Sequence, residues 1–162
     1  MPTEPGWHVV LLLAGAFRDG VDAMHRELAA QGYPEARPLH GFVLQAIGPD
    51  GCTINELGQR LGVSKQAAAK TATGLENLGY LSRASVPGDR RAVRLRRTDR
   101  AEQFLAASAA GFERVMDDWR GKLGTARFEA MIEALAEVAT TRSVGDLPGW
   151  LTQRSSSADR ER

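Results

Sequence analysis

Cysteine is almost absent from this chain: Cys52 stands alone among 162 residues. No intrachain disulfide can form, and a reducing compartment, the cytoplasm, is the expected location. Histidine is nearly as scarce. His8 and His25 lie 17 residues apart, about 260° around a single helix, and no cluster of Cys, His and carboxylate has ligand spacing, so no metal site is expected. No apolar run approaches the roughly 20 residues that span a bilayer. The longest near the N-terminus, Val9 to Ala16, has no basic segment before it and runs directly into Arg18, Asp19 and Asp22, which argues against a secretory leader or a membrane partner. Catalytic signatures are missing too. There is no phosphate-cradling glycine loop, no His-Glu-x-x-His, no nucleophile elbow and no convergent acid/base pair, so neither enzyme activity nor a cofactor is expected.

What is present fits one globular domain, with 43% apolar and 25% charged residues. The formal net charge of +1 conceals an uneven distribution. Residues 60 to 100 carry ten Lys and Arg against only Glu76, Asp89 and Asp99, a surplus of seven, and the rest of the chain is correspondingly acidic. Such a basic segment is the electrostatic footprint of a nucleic-acid-binding surface, unless it is simply a solvated face.

Residues 7–31 read as a helix because Trp7, Leu11, Ala14, Phe17, Val21, Met24 and Leu28 recur every three or four positions. Gly32, Pro34 and Pro38 interrupt the pattern, and a short helix follows through Phe42, Val43, Leu44, Ala46 and Ile47. Thr53-Ile54-Asn55-Glu56 has capping-box spacing. Ile54, Leu57 and Leu61 supply that helix with an apolar stripe, Gly62 a turn, and Ser64 the N-cap of a second helix, 64–78. Two short helices about a glycine turn are the helix-turn-helix signature. Tyr80–Arg83 and Ala92–Arg96 have strand character around a basic tip, Ser85 to Arg91, forming a wing over 80–97. A long helix from Thr98 should bury Leu105, Ala109, Phe112, Met116, Trp119 and Leu123, and a last helix Phe128, Met131, Ile132, Leu135 and Val138. Serines 155 to 157 among charges mark 152–162 as a disordered tail. The expected architecture is mostly α with a small β-wing: a winged helix-turn-helix over 38–98, flanked by N- and C-terminal dimerisation helices, 7–31 and 99–140. Those outer helices carry more apolar face than one winged helix can cover, which calls for a homodimer.

On a helical wheel of 64–78, Gln66, Lys70, Thr73 and Asn77 fall on one stripe beside Ala69, and Ala68, Thr71, Ala72, Leu75 and Leu78 fall opposite. The polar stripe contains hydrogen-bonding and cationic groups and no acid, as a helix entering the DNA major groove requires. Gln66 is matched to adenine, Lys70 to guanine, and the methyls of Ala69 and Thr73 to thymine. Ser64 and Lys65 at the helix start suit phosphates. Arg90 and Arg91 at the wing tip, with Arg94 behind them, suit an adjacent minor groove, and Asp89 is expected to pair with a wing arginine and hold the loop.

Leu61-Gly62-Val63-Ser64-Lys65-Gln66, Leu75-Glu76-Asn77-Leu78-Gly79-Tyr80-Leu81 and Asp89-Arg90-Arg91-Ala92-Val93-Arg94-Leu95 together resemble the multiple-antibiotic-resistance regulator (MarR) family, in an order of elements extending over residues 7 to 140. The resemblance implies a winged-helix homodimer binding a palindromic operator, usually as a repressor. It maps the family's wing motif onto Asp89 and Arg91, and implies release by a small aromatic or anionic effector. Phe17, His40, Phe42, Phe112 and Trp119 are the residues expected to line such an effector site, against the alternative of plain core packing. Arg97 and Ala101 depart from the family pattern, where Leu and Gly are common. Some relatives sense peroxide through a cysteine in the N-terminal helix, whereas Cys52 sits before the capping box and reads as a small buried residue. The rival to a DNA-binding regulator is a winged helix turned to protein contacts, which would have little reason to keep an acid-free face and paired wing arginines.

Overall fold

The computed structural model describes residues 5–86 and 89–139, with side chains described throughout except at Pro38, Val86 and 89–92. The expected tail, 152–162, lies outside the described residues, as do Pro87 and Gly88 at the wing tip. The elements run α1 (Gly6–Ala30), α2 (Pro38–Ile47), α3 (Ile54–Leu61), α4 (Lys65–Asn77), β1 (Leu81–Val86), β2 (Asp89–Arg97), α5 (Asp99–Leu123) and α6 (Thr125–Val138). They divide into two compact units: one takes the chain up to Pro38 together with Gln103–Ala139, and the other is built from Leu39–Glu102.

The second unit is the winged helix-turn-helix. Its capping box is complete, for the Glu56 amide donates to Thr53 Oγ1 at 3.2 Å and the Thr53 amide to Glu56 Oε2 at 2.7 Å. Hydrogen bonding from the Thr53 amide, and then from its side chain, holds the Glu56 carboxyl below its ordinary range. Helix α3 stops at Gly62, whose φ of 63° is left-handed, with the Val63 amide returning to the Gly58 carbonyl at 3.0 Å. The Ser64 hydroxyl then accepts from the Ala67 amide and starts α4. α4 ends in the same manner, the amides of Gly79 and Tyr80 returning to Glu76 and Leu75.

β1 and β2 pair antiparallel from Leu81 opposite Arg97 to Val86 opposite Asp89, with an irregularity at Ser85/Val86. Both strands are longer than their sequence signals because strand pairing carries the weakly patterned Ala84 and Ser85 into the ladder. A bridge between Cys52 and Leu95, two backbone bonds of 2.8 and 3.1 Å, adds one more residue to the wing's base. Gly51 has φ 74°, and a Cβ there would lie 2.2 Å from the Leu95 carbonyl oxygen. The core beneath consists of Val43, Leu44, Ile47, Cys52, Leu57, Leu75, Tyr80 and Leu95. Tyr80, read as strand, instead precedes β1 as a fully buried anchor beneath the Arg100 guanidinium, 5.1 Å from its ring centroid.

In the first unit α1 is continuous through Gly15 and Gly20. Gly20, Val21, Met24 and Leu28 are buried, and a Cβ on Gly20 would meet Trp119 and Val115 of α5 at 3.6 and 3.7 Å. On α5 the buried line differs from the expected stripe. Phe104, Ser108, Gly111 and Val115 are buried in this unit, whereas Leu105, Phe112, Met116, Trp119 and Leu123 are half-buried and Ala109 is exposed. Small residues at 108 and 111 allow close packing, as the 3.0 Å between a Cβ on Gly111 and Met24 Cγ indicates; a stripe read by apolarity alone passes over them. Desolvation lowers the pKa of His25 on α1 below its ordinary 6.5.

Thr53→Ala removes half of the capping box and is expected to lower the unfolding free energy by about 1 kcal/mol. Gly51→Ala should lower it further, through both backbone strain and collision with the Leu95 carbonyl; urea denaturation of the two variants beside the unmodified protein checks the order.

Candidate nucleic-acid interface

Helix α4 buries Ala68, Ala72 and Leu75 and half-buries Thr71 and Leu78. The opposite stripe is therefore turned outward: Gln66, Lys70, Thr73 and Asn77 are all exposed, and Ala69 is half-buried beside them. At the start of α4, after the exposed Ser64, the exposed Lys65 lines a cleft of about 410 Å³ with Asn55, Gly58, Gln59, Gly62 and Val63. This cleft lies between α3 and the start of α4, and sequence reasoning missed Asn55 and Gln59, because an exposed amide on a short helix has no signal of its own.

Several cations of the basic segment are engaged within the domain. Arg60 Nη1 donates to the carbonyls of Ala46 and Ile47 at 2.7 and 3.1 Å, closing the C-terminus of α2. Arg94, expected among the DNA contacts, is half-buried and donates through Nη2 to the Gly51 carbonyl at 3.1 Å. Arg97 has a side chain only 9% exposed, its Nε 2.8 Å from Glu102 Oε1, so its stem packs where the family commonly has Leu. Lys65, Lys70 and Arg96 remain exposed. Asp89, Arg90 and Arg91 lie on the backbone of β2; their side chains, and with them the expected Asp89 pairing, are outside the described residues.

Arg83 was not among the expected site residues. It reaches from β1 to the edge of the α4 face, where it pairs with Glu76 and approaches Thr73. A lone arginine in a strand gives no sequence signal for such a contact across a helix–strand junction.

The residues expected to line an effector site belong to both units. Phe17 is exposed and Phe112 half-buried in the first unit, while His40 and Phe42 are half-buried in the winged-helix unit, the His40 ring 6.2 Å from that of Tyr80. Trp119 alone among the five lines the 640 Å³ cleft of the first unit, with Arg26, Arg114 and Lys122 balanced by Asp19, Glu27 and Asp118. Arg114 is paired with Glu27, and Lys122 with Asp118 at 2.6 Å. Cys52 is fully buried, and burial pushes its thiol pKa up. Among the described residues no helix is long and apolar enough to cross a membrane, and no group of three or more His, Cys, Asp or Glu residues has metal-holding geometry.

A capped helix pair about a left-handed glycine, an outward polar helix face and a two-stranded wing define a winged helix-turn-helix protein. Residues 37–92 match the MarR family. That class comprises DNA-binding transcription regulators, not enzymes. The HTH-type transcriptional regulator BilQ of Clostridioides difficile is 27% identical over 82 residues, covering 51% of this chain and 55% of BilQ, so the match spans about half the length of that relative. Two crystal structures share the fold. Transcriptional regulator Tm0710 from Thermotoga maritima superposes with a TM-score of 0.60 at 24% identity, covering 82% of this chain and 92% of its own. The YusO protein from Bacillus subtilis superposes with a TM-score of 0.64 at 23% identity, covering 82% and 94%.

A buried thiol with a raised pKa is a poor nucleophile at neutral pH. Cys52 should therefore react with a thiol reagent at pH 7 only as fast as the protein unfolds, and peroxide should leave DNA binding unchanged; rapid labelling of the native protein would contradict this.

Proposed function

We propose that this chain is a sequence-specific DNA-binding transcriptional regulator of the cytoplasm, a repressor that binds a palindromic operator as a homodimer and is released by a small-molecule effector. The observation that carries the reading is the exposed, acid-free stripe Gln66, Lys70, Thr73 and Asn77 on a helix whose other face is locked into the core. On a polyanion this stripe offers amide, hydroxyl and ammonium donors at a spacing suited to base edges. Lys65 and the cleft beside it, with Asn55 and Gln59, provide a polar seat for the phosphate backbone where α3 would cross it. Ser64, exposed just before Lys65, adds a hydroxyl for phosphate, and Ala69 leaves room for close approach to the bases. The wing completes the footprint through Arg90 and Arg91, with Asp89 bracing the tip.

Dimerisation is supported by the apolar surface of α1 and α6. Trp7, Val10, Leu11 and Leu12 are 68, 66, 58 and 59% exposed and Val138 is 75% exposed, a density of wet apolar side chains that a second copy would cover. Two joined half-sites also raise affinity through effective concentration. For the effector, the Trp119 cleft offers an aromatic face beside Arg26, which suits a small aromatic anion.

The test is titration of the purified protein against duplexes selected from a random-sequence pool, followed by fluorescence anisotropy. Affinity should fall roughly a thousandfold or more between about 50 and 200 mM salt if many phosphates are contacted. Lys65→Ala should reduce the magnitude of the salt slope by about 0.9, Arg91→Ala should weaken all sequences, and Gln66→Ala should relax preference at one base position. Salt-insensitive binding, or no selected sequence, would sink the reading. In sedimentation the protein should run at twice the 17.5 kDa of one chain, with Leu12→Glu shifting it toward monomer.

A further inference from the structure

The recognition stripe holds no acid, yet an acid stands at its border. Glu76 precedes Asn77 on α4, and Arg83 of β1 grips its carboxylate side-on. Arg83 Nε donates to both Glu76 oxygens at 2.9 Å, and Nη2 lies 2.8 Å from Oε2. The same Nη2 lies 3.5 Å from Oγ1 of Thr73, a member of the exposed stripe. With side chains 39% and 24% exposed, Arg83 and Glu76 are not buried in the core, and Arg83 borders the exposed stripe at Thr73.

Separated, the two groups would act in opposite directions on DNA. A bare carboxylate at the groove edge repels phosphates, and a loose guanidinium beside a helix binds any phosphate within reach, whatever the sequence. Joined through Nε and Nη2 they sum to zero charge, and the cation is held to one position beside Thr73. Phosphate contacts strengthen operator and unrelated DNA alike, so withholding one cation lowers background binding without removing a base contact. We propose that Glu76 is a specificity-determining residue that withholds Arg83 from the DNA backbone, an inference that rests on the DNA-binding reading above.

Glu76→Gln, Arg83→Ala and the double variant are titrated against the selected operator duplex and an unrelated duplex at several salt concentrations, with thermal melting as the check on folding. Glu76→Gln should bind unrelated DNA about three- to tenfold more tightly, with a salt slope steeper by about 0.9, and the operator-to-unrelated ratio should fall. Arg83→Ala should weaken both complexes by exposing the Glu76 carboxylate, and the double variant should return both affinities to within about twofold of the unmodified protein. Glu76→Ala, which cannot misplace an amide, should act in the same direction as Glu76→Gln. An unchanged slope and ratio in both Glu76 variants overturns the inference. So does a double variant as weak as Arg83→Ala, because Arg83 would then contact DNA whatever Glu76 does. If the unmodified protein binds DNA and Lys70→Ala weakens it while the Glu76 variants are silent, this inference alone fails; if the unmodified protein binds neither duplex, the DNA-binding reading fails with it.

Discussion

The seating of α4 in the winged-helix core is the constraint on which the rest depends. Ala68, Ala72 and Leu75 leave no freedom of rotation about the helix axis, since turning α4 by even one residue, about 100°, would drive Lys70 or Thr73 into the core and bring an apolar residue out. The turn at Gly62 and the Ser64 cap fix where the helix begins. At the other end the bonds of Gly79 and Tyr80 to Glu76 and Leu75, with Tyr80 buried behind them, fix where it stops and where the wing departs. An outward polar face is thus a consequence of the buried one.

Electrostatics in this domain depends on which arginines are occupied. Arg60 closes a helix end, Arg94 braces the Gly51 turn, Arg97 joins Glu102, and Arg83 is bound to Glu76. Each is held by a carbonyl or carboxylate of the domain. A basic composition therefore overstates the surface available to a polyanion; among the described residues that surface is the α4 stripe with Lys65, Lys70 and Arg96.

Much of the fold was legible because local rules agreed with one another. The capping box at Thr53 and Glu56, the glycine at 62, the cap at Ser64 and the periodicity of 65–77 each point to the same two helices, and all were found where expected. The polar stripe was legible for the same reason. The extent of the strands and the buried line of α5 were less so. Ala84 and Ser85 enter the ladder by pairing rather than propensity, and Ser108 and Gly111 are buried because a neighbouring helix comes close, not because they are apolar.

By itself, then, the sequence determined the order of elements, the helix-turn-helix and the polar stripe of α4, since helix caps, glycine turns and amphipathic periodicity act over a few residues. Tertiary structure alone decided the partners of Arg60, Arg94 and Arg97, the pairing of Cys52 with Leu95, and the meeting of Glu76 with Arg83 beside Thr73. Those outcomes depend on distances between segments far apart in the chain, and side-chain hydrogen bonds and desolvation are settled only when those segments meet.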